Sequence, residues 1–227
     1  LFRSLTEALC GFSVAGPSAR QLLQRLTPED LSNDAFPFMR SRRLSLAGIE
    51  VVALRVSFTG DLGWELHCAA DDQEALYRAL LAAGREVGAG PVGARALTSL
   101  RIEKGYGSWG RDYSPEYWPQ ESGLAHLIKL DKGNFLHRDA YAAIAGNPAR
   151  DRLVMLAIDA VDADATGGEP IFLLDGTPIG QVSSGSYGYG VEQSLALAYV
   201  KAKIAKPGTP VEVAILGAPH RASILGE

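Results

Sequence analysis

Residues 42–68 read RRLSLAGIEVVALRVSFTGDLGWELHC. Two extended runs rich in β-branched and aliphatic residues meet at Ala47 and Gly48, and the turn signal TGDLG then leads into a third run, GWELHC. The pattern predicts a three-stranded meander. In its last strand, alternation puts Trp64, Leu66 and Cys68 on one face and Glu65 and His67 on the other.

Helical spacing flanks the meander on both sides. GPSARQLLQRL places Pro17 where a first turn tolerates it and repeats Leu22, Leu23 and Leu26 on one side. Residues 72–87 carry Leu76, Leu80 and Ala83 at helical spacing, and VGARALTSLRIEKG predicts a further helix closed by Gly105. Strands followed by helices make an α+β layer. Beyond the aromatic loop YGSWGRDYSPEYWPQ, residues 106–120, the sequence predicts a short strand at HLIKL and a helix at RDAYAAIAG, with a boundary at NPAR. From Leu153 onward apolar runs alternate with Gly and Pro turns, including a hairpin turn at Asp175-Gly176. Five or six strands without a helix predict a small closed or sandwiched β domain.

Composition bounds the chemistry. The 227 residues are 47% hydrophobic and 21% charged, enough to bury a core, and the net charge of −4 argues against a broad nucleic-acid footprint. No apolar run reaches the roughly 20 residues of a membrane span. The start LFRSLTEALC has no signal pattern, and a reducing, cytoplasmic setting is the default expectation. Cys10 and Cys68 are distant in sequence and form no C-x-x-C, so neither a disulfide scaffold nor a zinc module is indicated.

Several motifs fail on context. Gly88, Gly90 and Gly93 match G-x-G-x-x-G but follow a predicted helix, and Pro91 removes an amide. GSYGYG at 185–190 leads toward a strand and reads as a loop. His67, His126, His137 and His220 lack ligand spacing, so no metal is expected. Ser57, Ser99, Ser183 and Ser184 sit in no nucleophile elbow, which leaves nucleophilic catalysis without support.

Two features remain. Glu65 stands beside Gly60 and Gly63, where a flat ligand could approach the backbone. A carboxylate accepts two parallel N–H bonds, which suits a pterin-like or guanine-like edge. The plainer reading is a surface acid or an ion pair. Arg101 falls on a half-buried helical side and is open to a salt-bridge reading. The loop holding Tyr106, Trp109, Tyr113, Tyr117 and Trp118 either stacks on a heterocycle or pins itself to the core.

RVSFTGDLGWELH, ALTSLRIEKGYGSWGRD, ESGL and SSGSYG, with GPSARQLLQRLTPEDLSNDAFPF near the start and IGQVSSG in the last third, resemble the glycine cleavage T-protein (aminomethyltransferase) superfamily. The likeness is strongest to the tetrahydrofolate-binding part of dimethylglycine and sarcosine dehydrogenases, and it spans nearly the whole chain. It implies transfer of a methylene or aminomethyl carbon to tetrahydrofolate, with Glu65 gripping the pterin edge, Arg101 at the folate site and Trp109 close by. The donor implied is a small amine or a lipoyl-carried aminomethyl group, with a flavin domain or subunit as a further partner. The family aspartate that orients the folate nitrogen is expected upstream of Leu1, so no catalytic residue is assigned here and the segment is expected to be incomplete as an enzyme. Asp61 stands where the family usually has Glu, and Ser122 where it usually has Ala. The tyrosine after EKG, Tyr106, separates the chain from a regulatory or tRNA-modification branch, which carries cysteine there. The other class left open is a structural module docking a flavoprotein. The implied fold is α+β: residues 1–36 as the remnant of a first subdomain, 37–147 as a ferredoxin-like folate-binding layer, and 148–227 as a C-terminal β-barrel.

Overall fold

The meander forms as read. In the computed structural model, which describes residues 2–226, β2 (Ser41–Leu46), β3 (Ile49–Leu54) and β4 (Gly63–Ala69) pair antiparallel in that order. Leu46 pairs Ile49 across a two-residue turn whose Ala47 and Gly48 have φ of 51° and 83°. Positive φ at both positions matches the right-handed twist of the flanking strands. A fourth strand, β1 (Leu9–Ala15), was not expected from the sequence and pairs along the free edge of β4, giving the order β1-β4-β3-β2. Its alternation of exposed and half-buried residues is that of an edge strand with one inward side.

One face of this sheet is covered by α1 (Ala19–Gln24) and α2 (Gln73–Gly84). Leu22 and Leu23 of α1 and Leu76 and Leu80 of α2 share a core with Leu44, Leu46, Val51, Ala53, Trp64 and Leu66. Each such side chain taken fully from water contributes about 1.5–3 kcal/mol. That core holds β4 so that its odd residues, Glu65 and His67, face the other way.

The chain divides into two compact units, ending at Gly93 and beginning at Ala94. The sequence boundaries at 36/37 and 147/148 fall inside them. Across the first, β1, from the expected remnant, is hydrogen-bonded to β4 along seven residue pairs from Leu9↔Ala69 to Ala15↔Gly63. The barrel strands start at Asp151, close to the second expected boundary, but α3 (Ala94–Glu103) also packs with the barrel: Ser99 Oγ donates to the Tyr187 carbonyl at 2.6 Å, and the Gly190 amide donates to Glu103 at 2.9 Å.

The second unit closes into a six-stranded antiparallel barrel of β5 (Asp151–Ile158), β6 (Pro170–Phe172), β7 (Pro178–Gly188), β8 (Gln193–Lys201), β9 (Pro210–Ile215) and β10 (Ala218–Ile224), ordered β10-β5-β8-β7-β6-β9. Leu156, Ile171, Val182, Ala196, Ala198, Val211 and Val213 fill its interior. GSYG at 185–188 continues β7 instead of forming a loop, and the turn is confined to residues 189–192.

HLIKL is not a strand. Ala125–Leu127 make one 3₁₀ turn, among the described residues no strand pairs with those after it, and Arg138 Nε donates to the Leu130 carbonyl at 3.0 Å. α4 is also shorter than expected, Arg138–Ala142. Among the described residues no helix is long and apolar enough to cross a membrane.

Candidate functional site

Glu65 sits mid-strand on β4, opposite Ser13 of β1 and Leu54 of β3. Trp64 and Leu66 on either side of it are fully buried, which fixes the strand's rotation and holds the carboxylate on the open face. Its side chain is 47% exposed, His67 Nε2 lies 3.7 Å from its Oε2, and among the described residues its carboxylate accepts no hydrogen bond. The acceptor pair is held in place and uncommitted. Gly63 is explained internally: a Cβ there would lie 3.1 Å from the Val14 carbonyl oxygen and 3.2 Å from that of Val56, so its bare backbone serves chain packing and not ligand approach.

In the second unit, α3 ends in a double reverse bond, with the Gly105 amide donating to Ile102 and the Tyr106 amide to Arg101. Gly105 takes φ 69° to permit it. This termination throws the chain outward into the aromatic loop.

Arg101 is buried, not half-buried, with 3% of its side chain exposed. Its Nη1 donates to Asp112 Oδ2 at 2.7 Å and to the Tyr106 carbonyl at 2.9 Å. Asp112, which the sequence did not single out, is fully buried. Its Oδ2 also accepts from the Ser108 amide at 2.8 Å, while Oδ1 accepts from Ser183 at 2.5 Å and Ser184 at 2.6 Å. Burial alone would raise this carboxyl's pKa, but the two serine hydroxyls, the Ser108 amide and Arg101 together hold it below its ordinary value.

Two consecutive serines reach one carboxylate because β7 carries a bulge. Val182 pairs Ala198 and Ser184 pairs Leu197, leaving Ser183 without an opposite residue. Regular alternation would point the two hydroxyls to opposite faces. A serine pair followed by glycine inside an apolar strand was the available signal; its partner was not visible.

The aromatic loop divides in two. Tyr117 stacks on Tyr199 of β8 with ring centroids 3.4 Å apart, and Arg150 lies over Trp118 at 4.5 Å. Tyr199 is buried, donates to the Asp112 carbonyl at 2.7 Å and sits 2.9 Å from Ser122 Oγ. Burial pushes its phenol up to about 12. Glu121, fully buried, pairs with Arg150 through Oε1–Nε at 2.8 Å and Oε2–Nη2 at 2.7 Å, and accepts the amides of Trp118 and Arg150. The Arg150 bonds hold its carboxyl down at about 2. By contrast Trp109 is 78% exposed and Tyr106 is 42% exposed. The loop is pinned at its far end and presents an indole near its start.

Beside the loop, Arg111, Ser114, Glu116, Gln181, Ser183 and Tyr199 line an open polar cleft of about 560 Å³. Among the described residues no group of three or more His, Cys, Asp and Glu side chains is arranged to hold a metal ion.

Residues 1–132 match the family model described as the GCVT N-terminal domain, and residues 152–227 match the glycine cleavage T-protein C-terminal barrel domain. The chain is 41% identical to mitochondrial dimethylglycine dehydrogenase of Rattus norvegicus over 226 residues, covering 99% of this chain and 26% of that protein. It is 38% identical to mitochondrial sarcosine dehydrogenase of Homo sapiens over 196 residues, covering 86% of this chain and 21% of the relative. The chain thus spans about a quarter of the length of these dehydrogenases. The crystal structure of glycine cleavage system aminomethyltransferase T from Bartonella henselae superimposes with a TM-score of 0.84 over 96% of this chain and 58% of that one, at 24% identity, which shows a shared fold.

Proposed function

The chain belongs to the glycine cleavage T-protein family, and from that membership we propose that it is the tetrahydrofolate-binding module of a one-carbon transfer protein. The reaction class is transfer of an aminomethyl or methylene carbon to tetrahydrofolate. The observation that carries the reading is Glu65: a carboxylate with no hydrogen-bond partner among the described residues, held on the open face of a sheet by buried Trp64 and Leu66. Such an acceptor pair fits a pterin edge, where a ring N–H and an exocyclic amino group donate in parallel.

Trp109 supplies an exposed indole for ring contact. Arg101 serves the folate site from inside: its guanidinium is spent on Asp112 and Tyr106, so it orders the loop that carries Trp109. Tetrahydrofolate supplies the accepting amine; the chain's own residues bind and orient it. The carbon source is a lipoyl-carried aminomethyl group or a small methylated amine. In the second case a flavin domain or subunit is the partner that oxidises the amine by two electrons to an iminium or formaldehyde equivalent, which tetrahydrofolate then captures. The alternative is a module that docks a flavoprotein without handling carbon; the much greater length of the dehydrogenase relatives leaves room for it.

Calorimetric titration of the full-length protein with tetrahydrofolate tests the reading. Glu65→Gln places an amide donor against a donor and is expected to weaken binding by about 1.5–3 kcal/mol, roughly ten- to a hundredfold. Unchanged affinity with an intact circular dichroism spectrum would remove Glu65 from the site, and absence of any folate binding would favour the docking module.

A further inference from the structure

Cys10 and Cys68 are the only two cysteines of the chain, and the pairing of β1 with β4 sets them directly opposite one another. Their Sγ atoms lie 3.2 Å apart, both as free thiols. We infer that Cys10 and Cys68 form a thiol–disulfide exchange site, open to an oxidised low-molecular-weight disulfide such as glutathione disulfide, which staples the edge strand β1 to the strand that carries Glu65.

The backbone already meets the requirement. Residues directly opposite in an antiparallel pair have Cα atoms about 4.5–5.5 Å apart, inside the about 4.4–6.8 Å that a disulfide spans. Bonding distance is about 2.05 Å, so closure is a matter of side-chain rotation.

The two thiols are unequal in the way stepwise exchange needs. Cys10 lies on an edge strand and is partly exposed, whereas Cys68 is 2% exposed. Burial, with added contributions from Cys10 and Asp72, pushes the Cys68 thiol up to about 12, which disfavours its thiolate. Cys10 is therefore the entry point and Cys68 the resolving thiol.

The chemistry balances. The Cys10 thiolate attacks one sulfur of the small disulfide; an S–S bond breaks, a mixed disulfide forms at Cys10, and one thiolate leaves and takes up a proton. Cys68 then loses its proton and attacks Cys10 Sγ, expelling the second small thiolate. Two protein thiols are oxidised and one small disulfide is reduced to two thiols. The pairing is not legible before folding, because 58 residues separate the cysteines and β1 is not evident from local pattern.

The test is equilibration of the folded protein in glutathione buffers of rising oxidised fraction at about pH 8, followed by acid quench, non-reducing digestion and mass spectrometry. The expected product is a Cys10–Cys68 linked peptide, two hydrogens lighter than the thiol pair and restored by dithiothreitol. Cys68→Ser is expected to stop at the Cys10–glutathione mixed disulfide. In the reduced wild type, Cys10 is expected to alkylate with iodoacetamide at least about tenfold faster than Cys68, as its exposure dictates. A wild-type protein that ends as a Cys10 mixed disulfide with Cys68 still a thiol, or that keeps both thiols under oxidising buffer, would overturn the inference.

Discussion

Arg101 Nη1 and Asp112 Oδ2 stand 2.7 Å apart with their side chains 3% and 0% exposed, tying the last turn of α3 to the loop that presents Trp109. The carboxylate is in turn anchored to the barrel by Ser183 and Ser184. Asp112→Asn leaves Arg101 buried without its counter-charge. Breaking a buried pair from one side costs about 3–5 kcal/mol, so the urea midpoint should fall steeply. A loss under about 1 kcal/mol would show that the network adds little to stability.

Trp109 should separate binding from folding. An indole 78% exposed contributes little to the core, so Trp109→Ala is expected to change stability by no more than about 0.5 kcal/mol. Loss of ring stacking should weaken tetrahydrofolate by about 1–2 kcal/mol. Chemical denaturation and calorimetry on the same variant check both halves; unaltered affinity would take Trp109 out of the site.

Acid should act on the Glu121–Arg150 pair. The folded Glu121 carboxyl titrates at about 2, below the 4.5 of an unperturbed glutamate. Its stabilisation is therefore fully present above about pH 4.5 and is lost as pH falls toward 2. After allowance for the half-exposed Arg150 guanidinium, the contribution is about 2 kcal/mol. Urea unfolding at stepped pH should show this slope, and Glu121→Gln should flatten it while lowering stability at neutral pH.

Oxidation of Cys10 and Cys68 would close a loop spanning 58 residues. Chain entropy assigns such a closure about 4 kcal/mol of stabilisation. Calorimetry on oxidised and reduced protein should show a higher Tm for the oxidised form that dithiothreitol reverses. An unchanged Tm would mean that strain in the closed pair offsets the entropy.

The sequence by itself determined the meander, three of the four helices in near-final position, the face on which Glu65 lies and the all-β character of the last third. These are local: a period of two or 3.6 and a turn residue fix them before any tertiary contact exists. The HLIKL run shows the limit of that logic, since alternation makes a strand only where a neighbouring strand accepts its backbone bonds. Tertiary structure alone decided β1, which needs the edge of β4, and the meeting of Cys10 with Cys68 across it. It also decided Asp112. A carboxylate in a polar loop reads as solvated, and its burial depends on an arginine 11 residues before it and a strand bulge 71 residues beyond it. Nothing short-range carries that information, because an ion pair and a bulge become favourable only when the barrel has closed around them.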